Sequence, residues 1–405
     1  METRVRMLGL LIIAWAVGFP QTGYCQTWQA PEAPIPDPAP RPATPPALAP
    51  EPVPEYLGFA AEPDRSWYFM AEAMALTRDA SRDRTFAARI DQVLPEVGED
   101  EEGLILFRTD VLGTHDLDFD FRAGGRALVG RNLSEAFAVE VSYFGVNTYS
   151  ESAFVRDSTE FDIYDEDDLL VATVPGSLFS PFSEFGEWPI NGLDYNNLVS
   201  IEYKSSLDNL EWNLRRSVPM PEGRLTASAL VGGRYMDIGE RFRYVSQSYM
   251  SQTGTVGPAR DTAVNDIATR TSNEMLGVQI GALVEFQVEP YCWFDFEIKG
   301  AVFDNRIRQT TDYVNVDTGV ASAFSGTRSG NTTAFMGDLD LVFVYRVSPA
   351  FTFRLGYQAV WIDGLALASE NMARNVDVLT LGPPMLVDDG KVVYHGPHLG
   401  GILAW

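Results

Sequence analysis

Apolar and polar positions alternate along this chain in long segments, at about 67–77, 117–130, 135–149, 197–214, 223–244, 271–289, 291–307, 334–347, 350–362 and 391–405. A period of two sends successive side chains to opposite faces of a strand, so each segment predicts a β-strand between apolar and polar surroundings. Phe137, Val139, Val141 and Tyr143 alternate with Glu140 and Ser142. Phe294, Phe296 and Ile298 alternate with Asp295, Glu297 and Lys299, and Phe351, Phe353, Leu355 and Tyr357 with Thr352, Arg354 and Gln358.

The connections alternate as well. Those near 78–116, 150–196, 245–270, 308–333 and 363–390 are long, and those near 131–134, 215–222, 290 and 348–349 are short. A soluble β-sandwich has no reason to keep every long loop at one end, whereas a transmembrane barrel has one rim facing outside and one facing the periplasm. The segments also exceed ordinary sandwich strands in length. Aromatics such as Trp67, Tyr143, Tyr235, Trp293, Tyr345, Trp361 and Trp405 recur near their ends, where an interfacial girdle needs them. The fold class predicted is all-β: a transmembrane antiparallel up-and-down β-barrel of about ten strands, with a range of eight to twelve because 103–108 and 364–381 leave room for more.

Three regions follow. Residues 1–25, with Arg4 and Arg6 before an apolar run, read as a secretory signal peptide. Residues 26–65 read as a Pro-rich periplasmic spacer, because eleven prolines between 28 and 55 prevent strand pairing and helix closure. Residues 66–405 are the barrel, with long acidic extracellular loops, and the localisation expected is the cell outer membrane. A net charge of −26 without a basic stripe excludes nucleic acid as a partner. The acidity is tolerable in loops standing in water, with divalent cations as candidate partners there. Outer-membrane lipids are the partner of the barrel wall.

The inward, lumen-facing candidates are Glu72, Glu140, Glu202, Lys204, Arg234, Glu297, Lys299, Asp338, Asp340 and Arg354. They either pair across and fill the interior or line a narrow pore that leans toward cations. The lipid-facing candidates are Val139, Val141, Phe296, Leu341 and Phe353. Asp162, Asp165, Glu166, Asp167 and Asp168 supply oxygen ligands of the kind calcium takes, but without EF-hand spacing, so a solvated acidic surface is the simpler expectation. With only His115, His395 and His398 and no GxSxG, HExxH or P-loop, neither an enzyme nor a cofactor is expected.

Several stretches are similar to a known family. They are Trp67-Tyr68, Val141-Ser142-Tyr143-Phe144-Gly145, Asn196-Asn197-Leu198, and Gly233-Arg234-Tyr235-Met236 with Glu240 and Phe242. Phe351 to Gly356 and Tyr394-His395-Gly396-Pro397-His398-Leu399-Gly400 complete the set. Over about 66–405 the chain resembles the planctomycetal outer-membrane beta-barrel porins, the seventh named beta-barrel porin family. That resemblance implies fold and location and carries over no catalytic or binding residue. It implies a structural role for 394–400 and, for Trp405, service as a terminal aromatic to the barrel-assembly machinery. The function expected is a porin-like or structural role in the cell envelope. The alternative is a surface adhesion or binding module using the acidic loops.

Overall fold

Strands form where alternation lets each backbone pair with a neighbour while its two faces meet different surroundings. The computed structural model describes residues 66–79, 82–93, 105–164, 170–187, 190, 192–218, 220, 223–250, 261–317, 320–373 and 386–405; the expected signal peptide and spacer lie outside them. Among the described residues the strands are β1 (Trp67–Arg78), β2 (Thr85–Val93), β3 (Ile105–Gly113), β4 (Arg122–Asn132), β5 (Phe137–Arg156), β6 (Glu160–Tyr164), β7 (Leu170–Pro175) and β8 (Leu178–Phe179). They continue with β9 (Asn196–Val218), β10 (Leu225–Met250), β11 (Asp261–Glu289), β12 (Cys292–Asp317), β13 (Val320–Arg346), β14 (Phe351–Leu365) and β15 (Gly390–Ala404).

Thirteen strands form one sheet in the order β10-β11-β12-β13-β14-β15-β1-β4-β5-β9-β8-β2-β3, and β9 also pairs with β10. β6 and β7 make a separate hairpin. All ladders are antiparallel. This corrects the expected up-and-down barrel of about ten strands: there are fifteen among the described residues, and β2, β3 and β8 branch from the end of β9. The extra strands lie in the stretches 78–116 and 150–196 that read as loops. The stretches 245–270 and 308–333 prolong β10–β13 into tall hairpins.

Two of the short connections share one device. Ser134 Oγ accepts from Phe137 N at 3.2 Å, and Ser348 Oγ accepts from Phe351 N at 3.1 Å. The hydroxyl substitutes for a missing backbone partner and fixes the reversal. No helix among the described residues is long and apolar enough to cross a membrane.

The outer wall carries an apolar belt. Leu210, Trp212 and Leu214 on β9, Leu276 to Phe286 at alternate positions on β11, Phe294 to Val302 on β12 and Phe335 to Tyr345 on β13 present large exposed apolar side chains. Phe294 and Val302 are eight residues apart, about 27 Å along a strand at ~3.4 Å per residue, or about 20 Å across the wall at the ~40° tilt usual in such barrels. Beyond the belt the polarity inverts. On β9 the side chains of Ile201, Tyr203 and Leu207 are buried, while Glu202, Lys204 and Asp208 look outward.

Val141, exposed within the belt, tests it. Val141→Arg is expected to lower folding stability in lipid vesicles by about 2–4 kcal/mol if it lies near midplane. An unchanged denaturant midpoint would show that this face meets water.

Candidate functional site

The interior is filled in three tiers, and the first is ionic. Seven carboxylates (Glu72, Glu140, Glu211, Asp295, Glu297, Asp338 and Asp340) meet five fixed bases (Arg126, Arg215, Arg234, Lys299 and Arg354) and His398. Glu72 lies 3.0 Å from both Arg126 and Arg354, and Arg354 reaches Asp295 at 3.2 Å. Arg215 joins Glu140 at 3.0 Å to Glu297 at 2.9 Å. Arg234, fully buried, bridges Glu211 at 3.4 Å and Asp338 at 3.2 Å, with Asn209 Oδ1 accepting from its Nε at 2.6 Å. His398 lies 2.8 Å from Asp340 and 3.4 Å from Glu72. Shared partners link these pairs into two groups, one around Glu72 and one around Glu211, and Gln358, which accepts from Arg126 and donates to Asp338 at 2.7 Å, joins them into one network. Between them remains a cavity of about 60 Å³, enough for a few waters and no more.

The second tier is aromatic and apolar: Met74, Leu76, Phe119, Phe144, Tyr149, Tyr203, Phe242 and Tyr394 pack together. Inside it a single buried pair, Arg78 with Glu240 at 2.7 Å, is held by its surroundings. The Arg78 guanidinium lies 5.0 Å from the ring centres of both Phe119 and Tyr203, and Tyr203 Oη donates to Glu240 at 2.6 Å. A cation on aromatic faces compensates part of its lost hydration.

The third tier is chain folded inward. After β14, residues Ala366–Ala373 are all buried. Gly364, at φ +92°, makes the turn; a Cβ there would meet the Thr333 carbonyl at 2.7 Å. The segment is seated by side chains of the wall. Asn273 donates to Ala366 O at 3.0 Å and accepts from its N at 2.8 Å, and Asn305 donates to Gly364 O at 2.9 Å. Gln309 donates to Asn371 O at 2.9 Å, and Glu240 accepts from Ala368 N at 2.9 Å. Beside it Phe182, from the connection after β8, packs edge-on against Tyr244 at 5.6 Å.

The expected inward residues divide. Glu72, Glu140, Arg234, Asp338, Asp340 and Arg354 are buried, and Glu297 and Lys299 are half-buried members of the network. Glu202 and Lys204 are a correction: they pair with each other at 2.6 Å on the opposite face from Tyr203. The reason is the inversion above the belt, where water bathes the outside and packed chain fills the inside. Val139, Val141, Phe296 and Leu341 are exposed, Phe353 is half-buried and Trp405 is exposed. Of the acidic run, Asp165, Glu166, Asp167 and Asp168 lie outside the described residues, and Asp162 accepts from Thr173 at 2.6 Å. Among the described residues no group of His, Cys, Asp and Glu is arranged to hold a metal. Sequence reading missed Arg126 and the amide Gln279, and placed Gln358 on the polar face of its strand without assigning it to the site. Arg126 shares the parity of Gly124 and Gly130, which was its only signal.

At the long-hairpin end, Asp157 ties β5 to the connection before β8. It accepts from Thr159 N at 2.8 Å and Ser177 Oγ at 2.9 Å. Burial pushes its carboxyl up, but hydrogen bonds from Thr159, Ser177 and Arg89 outweigh that and hold it at about 2.

A wall apolar outside and ion-paired inside defines an outer-membrane β-barrel of porin-like type. The chain matches the model of the Putative beta barrel porin-7 (BBP7) family over residues 68–405 and belongs to that family. No curated protein matches it. Among solved structures it is similar to the outer membrane protease OmpT from Escherichia coli, at 9% identity and TM-score 0.41, over 85% of this chain and 97% of that one. A Pseudomonas aeruginosa FadL homologue follows at 10% identity and TM-score 0.22, over 84% and 90%. The P. putida toluene transporter TodX stands at 8% and 0.21, over 85% and 91%. The protein is a porin-like protein of the outer membrane.

Arg234→Ala is expected to strand Asp338, while Glu211 keeps Lys299 at 3.5 Å, and to cost about 3–5 kcal/mol, read as a fall in denaturant midpoint. No fall would show that water screens the pair. A carboxyl whose folded pKa lies below its unfolded value of about 4 contributes stability above that value and loses it as pH falls through the folded one. Amide protection factors around 157–177, corrected for the intrinsic pH dependence of exchange, are therefore expected to fall as pH drops from about 4 toward 2, and Asp157→Ala is expected to show the low protection already at neutral pH. Protection factors that do not change in this window would remove Asp157 as the tie.

Proposed function

We propose that this barrel is closed in its resting state and serves the envelope as a structural wall, with permeation arising only when the inserted segment 366–373 is displaced. The supporting observation is that the interior is filled by ion network, aromatic tier and inserted chain, and that the cavity between the ionic side chains measures only about 60 Å³. In this reading Glu72, Glu140, Arg234, Glu297, Lys299, Asp338, Asp340 and Arg354 line the closed interior, and Val139, Val141, Phe296, Leu341 and Phe353 meet lipid. Residues 1–25 act in export and 26–65 as a periplasmic spacer. Trp405 is offered to the barrel-assembly machinery, and the acidic loops attract divalent cations. Seven carboxylates outnumber the five fixed bases and His398, so any current that does pass favours cations. A second reading, surface adhesion, is favoured by the β2–β3 and β6–β7 hairpins and by exposed Phe107 and Phe154.

Recording in planar bilayers checks the main reading. Refolded wild type is expected to be silent, and steady discrete conductance from it would overturn the closed state.

A further inference from the structure

The outer wall just beyond the apolar belt is tiered by charge. The belt ends, on the outward faces of β9, β10, β11 and β12, at Leu210, Tyr235, Leu276 and Val302. The next outward positions are all acidic: Asp208, Asp237, Glu274 and Asp304. Two positions further along the same faces stand Lys204, Arg241, Arg270 and Arg308. In a chain of net charge −26 such a row of bases calls for an explanation. On β13 the equivalent outward positions, Thr333, Asn331 and Ser329, carry no charge, so the row ends at β12.

Register makes the row tight. Arg241 stands directly opposite Lys204 on one side and Arg270 on the other, and Arg308 stands opposite Ser272. Like charges in direct cross-strand register are destabilising unless something neutralises them. Glu202 takes Lys204 and Asp312 takes Arg270. Arg241 and Arg308 have no ion-pair partner among the described residues, and the Arg241 Nε is buried without a hydrogen-bond acceptor. The four bases border a groove of about 410 Å³, to which Ser206, Ser272 and Thr310 add hydroxyls. Gly239 leaves its floor without a side chain.

We propose that this groove binds the phosphorylated sugar headgroup of an outer-leaflet glycolipid. Position selects the source. Arg241 is six residues past Tyr235, about 20 Å along the strand and about 15 Å beyond the belt at ~40° tilt. The headgroup region of a simple phospholipid is only about 5–8 Å deep on each side. An anion held by the basic row must therefore belong to a larger headgroup. Its sugar hydroxyls would donate to Asp208, Asp237 and Glu274 on the way, and its phosphate would accept from Arg241 and Arg308. Arginine suits the phosphate because its planar fork offers two parallel donors. The groove lies on the outside of the wall, so the proposal is independent of whether the interior conducts.

Native mass spectrometry of the full refolded chain, with a lipooligosaccharide phosphorylated on its core sugars as the probe, tests this. Wild type is expected to retain the probe, and Arg241→Ser with Arg308→Ser to weaken it by about tenfold or more, as the loss of charge-assisted hydrogen bonds implies. The same lipooligosaccharide without core phosphates is expected to bind as weakly to wild type as the probe binds to the variant, and lipid A, whose phosphates sit on the acylated sugars, to bind both forms alike. Should the double variant not fold, judged by heat-modifiable migration on gels, Lys204→Gln carries the same comparison. Equal binding of the probe by wild type and folded variant would overturn the site. Displacement of the probe by an equal concentration of inorganic phosphate would overturn the lipid as its source.

Discussion

Charges taken out of water must be paired, and in this barrel that requirement organises the wall. Removing one partner from a buried pair strands the other, at a cost of several kcal/mol. Here the partners are shared: Glu72 serves two arginines, Arg234 two carboxylates and Arg215 two more. A network of shared partners fixes which parity of each strand points inward, because a one-residue slip would carry an arginine into the belt and a valine into the network. β1, β4, β5 and β9 to β15 are thereby locked in register by their interior as much as by their ladders.

The same constraint explains why the polarity of the strands inverts. Within the belt, hydrocarbon outside demands Trp212 and Leu214, and ionic pairing inside demands Glu211 and Asn213. Past the belt the outside is water, and the inside must cover an inserted segment of chain. Tyr203, Phe242 and Tyr244 therefore turn inward, and Glu202, Arg241 and Arg243 turn outward. The backbone pairs continuously through the change, since Leu210 to Val199 stay in register with Tyr235 to Ser246.

This inversion sets what the sequence could reveal. Alternation is unmistakable where the belt crosses, as at Val139 and Val141 or Phe294 to Ile298, and there the strands were legible. The tall hairpins of β10 to β13 alternate too, but with reversed polarity and many Thr, Asn and Ser on both faces, so they read as loops. Reversal also misled the assignment of Glu202 and Lys204, because an apolar residue was equated with lipid along the whole of β9. The inserted stretch 366–373 has no sequence signal beyond small residues and Gly364. Its place depends on Asn273, Asn305 and Gln309, distant in the chain, and their amides reveal nothing until the strands are in register.

Filling the interior and placing charge on the outside are two results of one geometry. A strand with a polar interior inside the belt and an apolar interior above it must change outward character at the level where lipid gives way to water. At that level its first free positions suit residues that take hydrogen bonds from an interfacial layer, as Asp208 does from Tyr143 at 2.5 Å. Bases placed further out act on anions at the membrane surface without touching the network inside. The wall therefore separates two tasks by face. Inward pairs hold the wall together, and outward charges are left to set which surface the protein meets.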